Sequence, residues 1–95
     1  MSAPGYGRLP RMIEAVARAE GVTVRSVMRD VREQPQVRVR RAVSVVARRA
    51  GYSFPVIGRA LDRDHTTIMH HVRCAEGLAN DADFAELCRI AEAVQ

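Results

Sequence analysis

The stretch from Ser53 to Leu78, SFPVIGRALDRDHTTIMHHVRCAEGL, constrains the fold more than any other part of the chain. Ser53 can cap a helix that tolerates Pro55 in its first turn, with Ile57 and Leu61 pointing inward. Asp62 and Arg63 make a tight turn. Asp64 then reads as the N-cap of a helix running to about Leu78, its carboxylate able to accept from the backbone N–H of Thr66 or Thr67, with Ile68, Val72, Ala75 and Leu78 as the core stripe. Gly58 stands where the two helices could approach closely. A short helix, a turn of a few residues and a longer helix is helix-turn-helix anatomy.

The rest of the chain also reads as helix, with no convincing strand. Residues 10 to 20, PRMIEAVARAE, open with Pro10 in a first-turn position and stop at Gly21, with Ile13, Val16 and Ala17 on one face. A short helix follows Thr23, carrying Val24, Val27 and Met28. DVREQPQ then favours a loop, because Pro35 and the polar residues around it interrupt the pattern. Residues 37 to 50 put Val39, Ala42, Val43, Val46 and Ala50 at helical spacing, and Gly51 fits a position just past the helix end. DFAE, Asp83 to Glu86, has capping-box spacing and opens a last helix with Phe84, Leu87, Cys88, Ala91 and Val94 as its apolar face. The expected architecture is all-α: a flexible tail over residues 1–8 and one domain over 9–94, a compact bundle of about six helices.

Ninety-five residues suffice for one modest core and are too few for an ordinary catalytic domain with a cofactor site. No apolar run approaches the roughly 20 residues of a membrane span, and MSAPGYGRLPR lacks the apolar stretch of a signal peptide, which implies a cytoplasmic protein. Cys74 and Cys88 form no CxxC pair and are expected to be free. All fifteen basic residues are arginines, and they are unevenly placed. Residues 22 to 75 carry eleven arginines against Asp30, Glu33, Asp62 and Asp64, a balance of +7; residues 76 to 95 carry five acids against Arg89, a balance of −4. A basic block beside an acidic end implies a face built for a polyanion.

The start of the second helix is chemically odd. Thr66 and Thr67 are mediocre helix formers, and two adjacent β-branched residues lose side-chain freedom against the preceding turn. At the N-terminus of a recognition helix they have a use: a threonine hydroxyl can pair with a base edge while its methyl packs on a thymine methyl, and His65 adds a ring nitrogen. The helix N-terminus itself attracts phosphate. A metal site from His70, His71 and Cys74 is a poorer fit, since a closed zinc site takes four ligands. Hydrolysis by His65 with Asp64 lacks a third orienting partner, and neighbours at i and i+1 on a helix do not face each other. No catalytic residue, metal or cofactor is therefore expected.

These residues also carry a resemblance. RDHTT, Arg63 to Thr67, looks like the signature of the C-terminal DNA-binding domain of DnaA, the bacterial replication initiator, and of regulators that share that domain. SFPVIGRAL resembles the family's Ser-Leu-Pro-x-Ile-Gly-x-x-Phe helix, VRRAVSVVAR its Ala-Arg-Gln-Ile-Ala-Met-Tyr-Leu-Ala-Arg helix, and DADFAEL its closing Asp-Phe segment, in the right order over about residues 9 to 92. The resemblance implies a Trp-repressor-like helix-turn-helix fold in which Asp64, His65, Thr66 and Thr67 face base edges in the major groove and Arg63 meets a phosphate. It also implies that Arg40 and Arg41 lie along the groove or backbone and that Arg32 takes the place of a loop arginine reaching into the minor groove; Arg38 is a further candidate for a phosphate or minor-groove contact. Two departures stand out. The family's Gly-Gly before the Arg is replaced by the single Asp62, and the loop that should be richly basic holds Asp30 and Glu33.

The expected function is sequence-specific binding of double-stranded DNA, as the DNA-binding domain of a bacterial or phage-derived transcription regulator acting at the nucleoid, with other transcription or replication proteins as further partners. The alternatives are the domain of a replication initiator that recognises DnaA-box-like sites and, from another class, a helical protein-interaction module. The chain has no Gly-x-x-x-x-Gly-Lys-Ser/Thr loop, so no nucleotide partner is expected, and no membrane. Salt dependence separates the classes, because a phosphate binder must release counterions.

Overall fold

In the computed structural model, which describes residues 7–30 and 32–95, six helices follow one another: α1 Arg8–Glu20, α2 Val24–Met28, α3 Gln34–Arg49, α4 Phe54–Leu61, α5 His65–Glu76 and α6 Ala82–Ala93. No strand occurs among the described residues, so the all-helical expectation holds. Capping chemistry sets most of the boundaries. The side chains of Thr23, Ser53, Asp64 and Asp81 each accept from a first-turn backbone N–H of α2, α4, α5 and α6, which satisfies donors that a helix leaves unpaired. α3 closes at Gly51, whose φ of 102° lets its N–H donate to Arg48 O while that of Tyr52 donates to Ala47 O, both at 3.1 Å.

Four boundaries differ from the sequence reading, each for a local reason. α1 begins at Arg8 rather than Pro10, and the Arg8 guanidinium donates to Val94 O at 2.8 Å; the expected tail over 1–8 lies, up to residue 6, outside the described residues. α3 begins at Gln34, because Pro35 sits in its first turn, where the missing N–H would have had no helical acceptor. α5 ends at Glu76, leaving Leu78 in the turn beyond it. α6 is capped by Asp81, which accepts from Phe84 N at 2.9 Å; Asp83, expected as the cap, becomes a first-turn acid favoured by the helix dipole.

α3 is the spine and packs against each of the other five helices. Val39, Ala42 and Val43 are fully buried and meet Met12 and Val16 of α1, Ile57 and Leu61 of α4, and Ile68 of α5 in one continuous core. Each of the larger apolar side chains adds about 1.5–3 kcal/mol of burial free energy. α5 lies on α3 and α4, whereas α6 lies on α1 and α3 and carries most of the acidic end of the chain. Cys74 and Cys88 are both free as expected; Cys88 is buried, which pushes its thiol pKa up, and Cys74 is half-buried.

Candidate nucleic-acid interface

Three residues, Asp62 to Asp64, separate α4 from α5. Asp62 adopts a left-handed conformation, φ 54° and ψ 49°, which short polar side chains tolerate better than others. Its N–H donates to Arg59 O at 3.3 Å and that of Arg63 to Gly58 O at 2.7 Å, so the turn is a helix-closing motif with an aspartate in the usual glycine place. Gly58 is where the segments touch: a Cβ built there would lie 2.5 Å from Arg63 O. A single left-handed residue and a missing side chain thus let α5 leave the turn at once.

The first turn of α5 is held by one oxygen. Asp64 Oδ1 accepts from Thr66 N at 2.9 Å and from Thr66 Oγ1 at 3.0 Å, and His65 Nδ1 stands 3.3 Å from it. The bond from the Thr66 backbone, followed by that from its hydroxyl, keeps the Asp64 carboxyl below its ordinary pKa, so it stays ionised and only accepts. These contacts all fall on Oδ1, and the Asp64 side chain as a whole is exposed. Because the Thr66 hydroxyl spends its proton on Asp64, what it presents outward is lone pairs and a methyl group.

Asp64, His65 and Thr66 are exposed; Thr67 is half-buried and turned further toward the body. The exposed surface continues along the helix through Met69, His70 and Arg73, at i+3, i+4 and i+7 from Thr66. Met69, 38% exposed, is the large apolar side chain most open to solvent among the described residues. The sequence reading weighed His70 only as a metal ligand and passed over Met69 and Arg73, although helical spacing from Thr66 picks out all three.

The arginines divide. Arg32 is exposed in the α2–α3 loop, 3.8 Å from Asp30. Arg41 is half-buried on α3. Arg38 is drawn to the other side, with Nε 3.5 Å from Glu20 of α1 and the side chain bordering α6 beside Asp83 and Glu86. Arg40, expected along a groove, is only 3% exposed and donates inward to Val27 O at 2.8 Å and Arg29 O at 2.5 Å. Arg63, expected on a phosphate, donates to Met28 O at 2.9 Å and also to Arg29 O. Both inward arginines satisfy backbone carbonyls that the end of α2 leaves unpaired.

His71 replaces Val72 on the buried stripe. It is 7% exposed, its Nδ1 has no partner, and its pKa falls to about 4 through burial first and then the nearby positive charges of Arg41 and Arg40. His70 faces Cys74 Sγ across one turn at 3.3 Å, but no three His, Cys, Asp or Glu side chains converge on a metal-sized site among the described residues. No described helix is long and apolar enough to cross a membrane.

A tight three-residue turn, a supporting helix and a second helix with a capped, polar, exposed first turn define a helix-turn-helix domain. The model of the bacterial DnaA protein helix-turn-helix family matches residues 10–74, from α1 through nearly all of α5, and the chain belongs to that family. No curated protein and no solved structure matches the chain.

Proposed function

We propose that the chain binds double-stranded DNA sequence-specifically, with the first turns of α5 in the major groove and the arginine-bearing side of α2 and α3 toward the phosphates. The observation that carries this reading is the knot at the start of α5, where the exposed Asp64 carboxylate, His65 ring and Thr66 hydroxyl are gathered on one cap by contacts to Asp64 Oδ1. Base edges recognise such short acceptors, and the family to which the chain belongs is a helix-turn-helix. Thr67 sits at the edge of this surface and Arg32 and Arg41 are the cations best placed for the backbone. The role proposed for this binding is transcriptional control, supported by the single Asp62 where the family has Gly-Gly and by Asp30 and Glu33 in a loop that is basic in the family.

The experiment is selection of bound sequences from a random duplex library, followed by titration of the wild type, His65→Ala and Thr66→Ala on the selected site and a scrambled duplex at two salt concentrations. Each variant should lose about 1–3 kcal/mol on the selected site and almost nothing on the scrambled one, while wild-type affinity falls steeply with salt. Equal losses on both duplexes would remove the base-reading role, and affinity indifferent to salt would point to a protein partner.

A further inference from the structure

The α2–α3 loop and the turn before α5 are far apart in sequence, yet two guanidinium groups join them. Arg40 Nε donates to Val27 O and its Nη2 to Arg29 O; Arg63 Nη1 donates to Met28 O and its Nη2 to Arg29 O. Three consecutive carbonyls at the end of the five-residue α2 are thus taken by side chains from α3 and from the helix-turn-helix turn. A helix this short has little cohesion of its own, and cations at its carbonyl end stabilise it.

We propose that Arg63, assisted by Arg40, is a positioning residue that sets where the α2–α3 loop stands relative to the recognition helix α5, and that neither arginine is itself a contact to DNA. The inference rests on the DNA-binding reading above. Arg63 spans two different carbonyls with the two arms of one planar fork, which a lysine cannot do. Its backbone is pinned too, since its N–H is held by Gly58 O and its own carbonyl lies where a Cβ on Gly58 would be. The end of α2, from Val27 to Arg29, is therefore tied to the turn that leads into α5. The arrangement also gives Asp30 a purpose in a loop that the family resemblance would make basic. Burial first, and then the neighbouring Arg63 guanidinium on the shared carbonyl, disfavour the charged form of Arg40, and Asp30 opposes both. Arg32, beyond Asp30 on the same loop, is carried with it to whatever part of the duplex lies beside the major-groove contacts.

Charge and fork geometry are separated by comparing Arg63→Lys with Arg63→Met. A phosphate contact keeps most of its strength when Arg becomes Lys, because a point charge still binds phosphate. A positioning fork does not. The expected result is that both variants weaken binding to the selected duplex about tenfold, the scale of one lost base contact, and by the same factor within about twofold. The salt slope should stay that of the wild type, and sequence preference should flatten at base pairs flanking those read by α5. Wild-type-like affinity for Arg63→Lys, with Arg63→Met losing about one unit of salt slope, would overturn the proposal and make Arg63 a phosphate contact. A second arm needs no DNA. Amide hydrogen exchange of residues 24–33 should speed up in Arg63→Lys while α1 and α6 keep their protection; unchanged exchange in that segment would also overturn it. Failure of the wild type to bind any duplex would sink the functional reading and leave this second arm standing.

Discussion

Replacing Gly58 by Ala pits two effects of similar size against each other, and the geometry decides which wins. In the interior of a helix such as α4, Ala is favoured over Gly by about 0.5–1 kcal/mol. The new Cβ, however, would stand 2.5 Å from Arg63 O, at least half an ångström inside the closest contact that real side chains show. The atom it meets is backbone and cannot rotate away. Arg63 is held on both sides, by its N–H on Gly58 O at 2.7 Å and by its guanidinium on the carbonyls of Met28 and Arg29. Overpacking of this kind costs about 1–3 kcal/mol, so the net loss should be on the order of 1–2 kcal/mol. For a domain of this size that is a fall in melting temperature of about 5–15 °C. Gly77→Ala supplies the control, because its Cβ would meet only Cys74 O at an ordinary 3.5 Å with φ at −73°, so that variant should melt at or slightly above the wild type. Thermal unfolding followed by circular dichroism measures both. If Gly58→Ala melts as high as Gly77→Ala, the close approach of α4 and the turn is not what requires the glycine.

Two further outcomes follow from single side chains. His71 is buried neutral with its pKa lowered to about 4, while in the unfolded chain it protonates near 6.5, so stability should be level above that pH and decline as pH falls from 6.5 toward 4. With solvent screening at the site's edge allowed for, the loss at pH 5 is about 1–2 kcal/mol, and urea titrations of the wild type and His71→Leu should show it in the first and not the second; equal acid sensitivity would clear His71. Asp62→Gly removes the side chain from a left-handed position and should add about 0.5–1 kcal/mol of stability while tightening duplex binding at low salt, since an acid beside the polyanion is gone; weaker binding would mean that the Asp62 carboxylate is itself used.

Much of this was legible in the sequence because it depends on local rules. Ser53, Asp64 and Thr23 cap where short polar residues precede apolar periodicity, and Gly51 stops α3 where a left-handed residue is needed. The close approach at Gly58 was visible as a small residue on the inner face of a helix. What escaped depended on distant partners. Arg40 looks like one more cation on an arginine-rich helix, and only the arrival of α2's end, more than ten residues away, turns it inward. Arg63 is separated by 34 residues from Arg29, whose carbonyl it caps. His71 and Val72 are a near tie by periodicity, and hydropathy favours the valine; the packing of α5 on α3 buries the imidazole instead. Asp81 and Asp83 are both fair caps, and the earlier one gains a longer helix plus a favourable acid in its first turn.

The central placement of α3 bears on how the molecule opens. A helix that touches all five others cannot be released without dismantling every interface in the core, so its amides should exchange with solvent only through complete unfolding. No peripheral helix can then serve as an independent cooperative unit of much stability, because each is packed against that shared spine. The recognition helix therefore draws its rigidity from the global unfolding free energy rather than from its own sequence. Its two threonines and three histidines would make a poor helix in isolation, and in this setting they need not make a good one.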